Sequence, residues 1–356
     1  MTTVTSLFSG AGGLDIGFTN AGFDVQWAND TDPHAKVIHD AAMQRNYMSQ
    51  RDSHFSTGNI MHANWEEEIP DSDVIIGGPP CQGFSRAGNQ DPDDPRSQMI
   101  FAFSAVVYAK KPRAFLMENV KDLTSSRHAS AFQRLKSFLR ESYDSCALVV
   151  DAAEYGVPQH RERLFLAGFP KNSSISIPFT CAMFDQRMRG GTVRSVLSEM
   201  PVYGALGNDI KSNAKITFAR NPVLRSSPYS GMLFNGARPL NLDAPAYTLP
   251  AIMGGNKTPF IDSLSLNSGG SVSPWVEWYH PFLVDGARPY RGDSGYVHRR
   301  ITAQEAAALQ TFPVDLPWNA VPASSAYRLI GNAVPPTLAT CVAKALKHAL
   351  DIEGGY

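Results

Sequence analysis

Cys81 directly follows a short apolar run and is the first residue of this sequence that could do covalent chemistry. The run Val74–Ile76 has the composition of a buried strand, and Gly77-Gly78-Pro79-Pro80 ends it abruptly. A thiol just past a strand end lies at the rim of a sheet, where α/β proteins place their active sites. The pattern favours a nucleophilic cysteine, although taken alone it also fits a turn with an inert thiol.

A carboxylate and two arginines accompany further strand-like runs. Glu118 ends the run that begins at Arg113, and Arg161 and Arg163 directly precede an apolar run at 164–169. We expect Glu118 and Arg163 at neighbouring strand ends, at the same rim of the sheet as the cysteine. Together they would supply an acid and a cation beside a nucleophile.

A glycine-rich turn near the N-terminus could bind a cofactor. The stretch Phe8-Ser9-Gly10-Ala11-Gly12-Gly13 lies between a strand expected at 4–8 and a helix expected at 14–21. A strand, a glycine-rich turn and a helix in this order are typical of a nucleotide-like cofactor held at the helix N-terminus. By itself, the turn would serve NAD equally well.

These candidate residues require a sheet that presents several strand ends side by side. Strands are expected at 4–8, 23–28, 53–57, 73–77, 113–118, 146–151 and 164–169, and helices at 14–21, 33–44, 99–109, 128–141, 303–311 and 335–350. The alternation of strands and helices predicts the α/β class, with a doubly wound, mostly parallel, Rossmann-like sheet.

The composition changes after Pro170. Residues 171–297 are rich in Gly, Pro, Ser and Asn, show no clear helical periodicity, and carry 12 Lys and Arg against 8 Asp and Glu. This mild positive charge is compatible with a surface that faces DNA. We expect a catalytic and cofactor-binding domain at 1–172, a smaller loop-rich, β-containing domain at 173–297, and a C-terminal segment at 298–356 that returns to the first domain.

The overall composition excludes several classes of protein. The chain has 356 residues, of which 43% are hydrophobic and 18% charged, and its net charge is −1; these values fit an ordinary globular protein. It has no run of about 18 apolar residues that could span a membrane and no secretory segment, so a cytoplasmic location is expected. Its four cysteines form no CxxC pair, so neither a metal site nor a disulfide framework is expected.

Six short stretches occur in an order that resembles the motif series of the C5-cytosine-specific DNA methyltransferase family, in its bacterial restriction–modification form. They are Phe8-Ser9-Gly10-Ala11-Gly12-Gly13, Gly78-Pro79-Pro80-Cys81-Gln82, Met117-Glu118-Asn119-Val120, Gln159-His160-Arg161-Glu162-Arg163, Arg300 to Glu305, and Gly331-Asn332-Ala333-Val334-Pro335-Pro336. The resemblance covers residues 3–169 and 298–348. The gap between the fourth and fifth stretches is where that family carries its target-recognition domain.

The resemblance implies the fold of an S-adenosylmethionine-dependent methyltransferase and assigns roles to the candidate catalytic residues. Cys81 adds as a thiolate to C6 of cytosine, which makes C5 nucleophilic toward the methyl group. Glu118 holds or protonates N3, Arg163 contacts O2, and Arg161 positions the loop or contacts phosphates. A base must then remove the C5 proton, and since no residue is an obvious candidate, ordered water is an equal choice.

The resemblance also implies that S-adenosylmethionine binds at the glycine-rich turn. Asp30 stands where the family often has Glu and would hold the ribose hydroxyls, with Asp32 or water assisting. Asn59 stands where the family usually has an Asp that accepts from the adenine amino group. The implied cofactor-binding residues are Leu7, Phe8, Gly10, Ala11, Gly12, Gly13, Asp30, Thr31, Asn59, Ile60, Pro79, Met99, Asn332 and Ala333.

The substrate implied by the resemblance is double-stranded DNA, from which the target cytosine must be flipped out. The loop at about 83–98 is suited to fill the gap, and the middle domain would read the sequence. Thr248 lies in a stretch, 245–250, that resembles the Thr-Leu element of such recognition domains. The expected DNA contacts are Ser85, Arg86, Gln90, Gln159, Arg220, Arg225, Arg238, Thr248 and Lys257.

Other assignments explain fewer of these residues. A tRNA cytosine methyltransferase shares the fold and the thiol but has a shorter recognition region with a Cys-Phe-Thr element, whereas this chain has a reversed Phe179-Thr180-Cys181. Amino-group methyltransferases need no thiol and carry an aromatic residue after the two prolines, where this chain has Cys81. A non-catalytic DNA-binding homologue would lack Cys81 or Glu118, and a dehydrogenase would not need them.

The resemblance also bears on partners. A restriction endonuclease acting on the same DNA site is the common partner of a compact enzyme of this type, and a solitary methyltransferase is equally consistent with the residues. One chain carries every motif, so a monomer suffices.

Overall fold

The computed structural model describes residues 1–48, 53–80, 98–173, 175–222, 232–233, 239–270, 272–295 and 297–353. The chain divides into two compact units. The first unit comprises Met1–Gly156, Arg161–Arg189 and Ala333–Tyr356, and the second unit comprises Val157–His160 and Gly190–Asn332.

The first unit is built on a seven-stranded sheet. Its strands are β1 (Thr3–Leu7), β2 (Asp24–Asn29), β3 (His54–Ser56), β4 (Val74–Gly77), β5 (Ala114–Val120), β6 (Tyr143–Asp151) and β7 (Glu162–Pro170). The spatial order is β3-β2-β1-β4-β5-β7-β6. Strands β1 to β5 run parallel, and β7 is antiparallel to both of its neighbours. The predicted doubly wound, mostly parallel α/β sheet is confirmed.

Four short strands and twelve helices complete the described part of the chain. The strands, all in the second unit, are β8 (Thr217–Phe218), β9 (Met232–Leu233), β10 (Phe260–Asp262) and β11 (His298–Arg300). The helices are α1 (Gly13–Asn20), α2 (Pro33–Gln44), α3 (Trp65–Glu68), α4 (Met99–Lys110), α5 (Ala129–Leu139), α6 (Ser176–Asp185), α7 (Val193–Leu197), α8 (Ser263–Ser268), α9 (Pro274–Val284), α10 (Ala303–Leu309), α11 (Ala323–Asn332) and α12 (Pro336–Glu353).

Apolar side chains from the sheet and its helices form the core of the first unit. Phe103 of α4 and Leu135 of α5 are fully buried in one cluster with Phe115 and Met117 of β5. Burying a side chain of this size stabilises the fold by about 1.5–3 kcal/mol. Helix α12 packs against α1, where a Cβ on Gly17 would come within 2.3 Å of the Ala339 Cβ. The last helix therefore belongs to the first unit.

The two units differ from the predicted domain boundaries at both ends of the middle region. Helix α6, expected in the middle domain, packs in the first unit against α12 and β6, where it buries Phe179 and Met183. Residues 298–332, expected to return to the first domain, belong to the second unit. There Thr302 donates a hydrogen bond to the Asn208 side chain and β11 pairs with β10.

The middle region also contains helices that its composition did not predict. Helices α6, α7, α8 and α9 all lie between residues 173 and 297. Helix α9 contains Pro281, and its aromatic residues Trp275, Trp278, Tyr279 and Phe282 recur at the i, i+3, i+4, i+7 spacing of one helix face, where their rings contact one another. This spacing is a helical signal in the sequence, although the region around it is rich in Gly, Pro, Ser and Asn.

One helical stretch, Ala323–Ile352, is long and apolar enough to be considered as a membrane span. However, 72% of its most apolar window is buried inside the protein, as in the core helices of folded domains.

Candidate active site and cofactor site

Neighbouring strand ends bring most of the predicted residues to one edge of the sheet. Leu7, at the end of β1, is paired with Asn29 at the end of β2 and with Gly77 at the end of β4. Gly77 is in turn paired with Met117, the residue before Glu118. The segments that follow these strands therefore begin next to one another, at the edge where open α/β sheets bind ligands.

The glycine-rich turn leaves β1 in a left-handed backbone conformation. The φ angles of Phe8, Gly10 and Gly12 are 55°, 56° and 79°. This conformation costs a residue with a side chain roughly 1–2 kcal/mol, so Phe8 must be held by its surroundings. A Cβ on Gly12 would lie 2.1 Å from the Met48 Cε and 3.2 Å from the His39 Cδ2, so this position has no room for a side chain.

Asp30 braces the turn from the end of β2. Its Oδ2 accepts a hydrogen bond from the Gly10 N–H at 2.9 Å, and its Oδ1 accepts from the Asp32 N–H at 2.9 Å. A carboxylate at this position can accept hydrogen bonds from hydroxyl groups. The Asp32 carboxylate accepts a hydrogen bond from the His34 N–H at 3.0 Å and thereby caps the N-terminus of α2.

Asn59 and Ile60 follow β3, the next strand along the sheet. The Asn59 side chain is exposed, and its Oδ1 accepts from the Met61 N–H at 3.0 Å. Ile60 is buried, and its carbonyl accepts from the Trp65 Nε1 at 2.7 Å. Asn59 retains two N–H donors and one lone pair for a ligand, whereas an aspartate would offer lone pairs alone.

The other predicted cofactor residues lie in both units. Pro79 is buried, and Met99 begins α4 and is partly buried against the core. Thr31 is exposed, whereas Ala11 and Gly13 are buried at the start of α1. Asn332 is exposed at the end of α11 in the second unit, and Ala333 begins the last part of the first unit.

Glu118 and Arg163 form an ion pair at the edge of the sheet. The Arg163 Nε lies 2.8 Å from the Glu118 Oε1, and the two side chains are 12% and 10% exposed. The Arg163 Nη1 also donates to the Glu162 carbonyl at 2.7 Å, which fixes the guanidinium. Burial raises the pKa of Glu118, while the charges of Arg163 and Arg161 oppose that rise.

Arg161 is fully buried behind this pair. Burial lowers the pKa of its guanidinium well below the usual range, and the charge of Arg163 adds to this effect. The Arg161 N–H donates to the Asp151 Oδ1 at 2.9 Å, and its carbonyl accepts from the Ala152 N–H at 3.0 Å. Its side chain is therefore removed from solvent and is close enough to Glu118 and Arg163 for their charges to act on it.

The segment that leads toward Cys81 passes directly beside Glu118. A Cβ on Gly78 would lie 3.2 Å from the Glu118 Oε2, so a glycine allows the two to approach closely. The Asn119 Nδ2 donates to the Pro79 carbonyl at 3.2 Å and holds the chain two residues before the cysteine. Cys81 itself lies outside the described residues.

In the second unit, residues 157–160 are held by the segment around Thr248. The Ala246 N–H donates to the Pro158 carbonyl at 2.9 Å, and the His160 N–H donates to the Ala246 carbonyl at 2.7 Å. The Thr248 hydroxyl donates to the His160 carbonyl at 2.8 Å. The Thr-Leu element is thus attached to the residues that immediately precede the two arginines in the chain.

Gln159 contributes to the same attachment instead of facing solvent. Its side chain is fully buried, and its Oε1 accepts from the Leu249 N–H at 3.1 Å. In this structure the Gln159 side chain therefore contacts Leu249 and not solvent. Arg220, Thr248 and Lys257 are exposed. The expected contacts Ser85, Arg86, Gln90, Arg225 and Arg238 lie outside the described residues.

The sequence analysis assigned no role to Asn119 or Asp15. In the structure, Asn119 contacts the segment before Cys81, and Asp15 contacts the glycine-rich turn. Asn119 stands inside a recognised motif, so its position was visible in the sequence. Asp15 interrupts the apolar stretch Leu14–Phe18, and a carboxylate there is fully buried. A charged residue within an apolar helix face is the signal that would have found it.

Comparisons with known proteins give one consistent result. The model of the C-5 cytosine-specific DNA methylase family matches residues 2–348. The chain is 31% identical over 355 residues to the type II methyltransferase M.MthTI of Methanothermobacter thermautotrophicus, covering 99% of this chain and 98% of that protein. It is 33% identical to the type II methyltransferase M.NgoPII of Neisseria gonorrhoeae, covering 98% and 96% of the two chains. The crystal structure of the S. pombe Dnmt2 methyltransferase shares the fold, with a TM-score of 0.67, 17% identity and coverage of 99% and 100%.

Proposed function

The chain belongs to the C-5 cytosine-specific DNA methylase family, and from this premise we propose how its residues act. The protein transfers a methyl group from S-adenosylmethionine to C5 of a cytosine in a specific double-stranded DNA sequence. The cytosine is flipped out of the duplex, and the reaction passes through a covalent bond between Cys81 and C6. The observation that supports this mechanism most is the position of Glu118, a buried carboxyl group with a raised pKa beside the segment that leads to Cys81.

The turn after β1 fits S-adenosylmethionine. The turn leads directly into the N-terminus of α1, and a helix N-terminus favours the carboxylate of an amino acid. Asp30, at the end of β2, has lone pairs for the ribose hydroxyls. The cofactor supplies an electrophilic methyl group when it is bound.

Glu118 acts on the base while Cys81 adds to it. Addition of the thiolate to C6 pushes electrons toward N3, and a protonated Glu118 donates its proton there. The raised pKa of Glu118 increases the fraction of enzyme in which this proton is present. Arg163, which is held by Glu118 and by the Glu162 carbonyl, donates to O2 of the same ring.

The reaction ends when the C5 proton and the Cys81 thiolate are eliminated from the methylated base. After C5 has accepted the methyl group, its proton leaves to a base, for which ordered water is the candidate. The electron pair of the C5–H bond then forms the C5–C6 double bond, and the Cys81 thiolate leaves C6. N3 returns its proton to Glu118 as the adduct breaks down, so base and enzyme are both restored. The net result is one methyl group transferred, one S-adenosylhomocysteine formed and one proton released.

The second unit selects the DNA sequence in this proposal. Thr248 is exposed, and it is attached to the residues before Arg161, so recognition and catalysis are linked through the chain. Exposed Arg220 and Lys257 supply positive charge for phosphate contacts. We place the protein in the cytoplasm as a monomer, in the setting of a restriction endonuclease that cleaves the same site.

The covalent mechanism is tested with a DNA duplex that carries 5-fluorocytosine at the target. Bisulfite sequencing of DNA from cells that express the chain first identifies the target. Fluorine at C5 cannot leave as a proton does, so the wild-type protein and cofactor should form a complex that survives denaturing gels. Cys81→Ser should bind the same duplex without trapping it, and methylation by this variant at about a tenth of the wild-type rate or more would overturn the assignment.

A further inference from the structure

We propose that Asp15 is a positioning residue that holds the glycine-rich turn in the conformation that binds the cofactor. Ser6, Ser9 and His39 are its partners. This inference rests on the proposed S-adenosylmethionine site, and it adds a function for a buried carboxylate that takes no part in the reaction.

Three side chains from different elements converge on the two oxygens of Asp15. The Ser6 hydroxyl donates to the Asp15 Oδ1 at 2.5 Å, and the Ser9 hydroxyl donates to the Asp15 Oδ2. The His39 Nε2, on α2, lies 3.1 Å from the same Oδ2. Asp15, Ser6 and His39 are fully buried. A carboxylate is expensive to bury, and these three partners offset that cost.

The two serines bracket the strained residue of the turn. Phe8, with its φ angle of 55°, lies between Ser6 at the end of β1 and Ser9. The Ser9 N–H also donates to the Asn29 carbonyl at 2.8 Å, which ties the turn to the end of β2. Asp15 therefore fixes the chain on both sides of a left-handed residue, and this is how a costly backbone conformation is maintained.

His39 contacts both Asp15 and the glycine-rich turn. Its ring packs on Phe55 of β3, with ring centroids 4.7 Å apart. Its Cδ2 is the atom that a Cβ on Gly12 would approach to 3.2 Å. The ring thus closes the inner side of the turn while its Nε2 fixes the carboxylate that holds the two serines.

Loss of one hydrogen bond to Asp15 should weaken cofactor binding and leave the chemical step unchanged. Without the Ser9 hydroxyl, Phe8 can relax toward ordinary backbone angles, and only a fraction of the free protein retains the binding conformation. The apparent dissociation constant rises in inverse proportion to that fraction. Once the cofactor is bound, the turn is in place and the rate at saturation is unchanged.

The test compares Ser9→Ala with Thr5→Val in the full chain. Thr5 lies on the same strand and is fully buried, and in the described part of the structure its Oγ1 makes no hydrogen bond. Both variants remove one buried hydroxyl, but only the first breaks a contact with Asp15. We expect Ser9→Ala to weaken S-adenosylmethionine binding about tenfold by calorimetry, the scale of one hydrogen bond to a charged group. Thr5→Val should bind as the wild type does.

The outcomes separate this inference from the proposed function. A wild-type protein that does not bind S-adenosylmethionine would refute the proposed cofactor site itself. Wild-type binding with an unchanged dissociation constant in Ser9→Ala would overturn the role of Asp15. An equal loss in Thr5→Val, or a fall of kcat at saturating cofactor in Ser9→Ala, would show general packing in place of positioning. Asp15→Asn provides a second variant of nearly the same shape, for which a loss of at least tenfold is expected.

Discussion

Arg163 lies with its Nε 2.8 Å from the Glu118 Oε1, and yet the pKa of Glu118 is raised. An adjacent cation normally lowers the pKa of a carboxyl group, whereas removal from water raises it. At this site the effect of burial is larger than the combined effect of Arg163 and Arg161. The carboxyl group is thus fixed in place by a cation and still able to carry a proton, which is how active sites tune a general acid.

The pH dependence of methyl transfer should follow Glu118. Because its pKa is raised, the protonated form persists to higher pH than for an ordinary glutamate, and the rate should fall as pH rises through that pKa. Glu118→Gln keeps the shape but cannot give a proton, so we expect a loss of about 10²–10⁴ in kcat and no such fall with pH. Single-turnover rates across pH, for both proteins, measure this. The same fall in the variant would exclude Glu118 as its origin.

Asn119 should matter for the rate and not for binding. Its Nδ2 holds the Pro79 carbonyl, while its Oδ1 accepts from the Val120 N–H at 2.9 Å. Asn119→Asp keeps the acceptor and removes the donor to Pro79. We expect kcat to fall about tenfold, the value of one hydrogen bond, because the chain before Cys81 loses its anchor. Dissociation constants for DNA and S-adenosylmethionine should stay within about twofold, and a rate equal to that of the wild type would show that the anchor is dispensable.

The parallel sheet and its glycine-rich turn could be predicted from the sequence because each part is local. A strand end, a glycine-rich turn and the motif around Glu118 each consist of consecutive residues. Parallel strands place their carboxyl ends at one edge of the sheet, so these segments lie near one another. The ion pair of Glu118 with Arg163 is different, because it depends on β7 running antiparallel to β5. The burial of Gln159 likewise depends on Leu249, which lies 90 residues away in the chain. No local pattern encodes such contacts.

The limits of the two units differ from the domain boundaries expected from the sequence for a related reason. Composition detects where loops begin, but it does not detect which unit a helix packs against. Helix α6 lies in a Ser-, Pro- and Asn-containing stretch and nevertheless buries Phe179 in the first unit. Residues after 298 resume a helical pattern, which favours the first domain. In the structure, however, Thr302 donates a hydrogen bond to Asn208 of the second unit.

Chimeras test whether the second unit carries sequence specificity. Exchange of residues 190–332 with the corresponding segment of a relative that methylates another site should transfer that specificity, because these limits follow the unit. Exchange of 176–296 should yield a less stable protein, since it replaces α6 and separates Asn208 from Thr302. Bisulfite sequencing reports the target, and thermal unfolding reports stability. Unchanged specificity in the first, folded chimera would refute the assignment of recognition to this unit.

His298 should make the stability of the protein sensitive to mild acid. Its side chain is almost fully buried in β11, with ring centroids 5.8 Å from Phe260 and 6.2 Å from Trp275. Burial lowers its pKa to about 4, and the charge of Asp262 opposes this only in part. In the unfolded chain the group has its ordinary pKa near 6.5. Between these values the unfolded state binds the proton more strongly than the folded state does.

The sign of the effect follows from this difference. The contribution of His298 is fully present above pH 6.5 and is lost as pH falls toward about 4. Each pKa unit is worth about 1.4 kcal/mol, so the shift from 6.5 to about 4 corresponds to a loss of at most about 3.5 kcal/mol. His298→Gln has no proton to bind, and its free energy of unfolding should decline less steeply over this range. Urea unfolding at several pH values compares the two slopes, which do not depend on the absolute stability of the variant. Parallel slopes would mean that His298 is protonated equally in both states and that its burial has no effect on acid sensitivity.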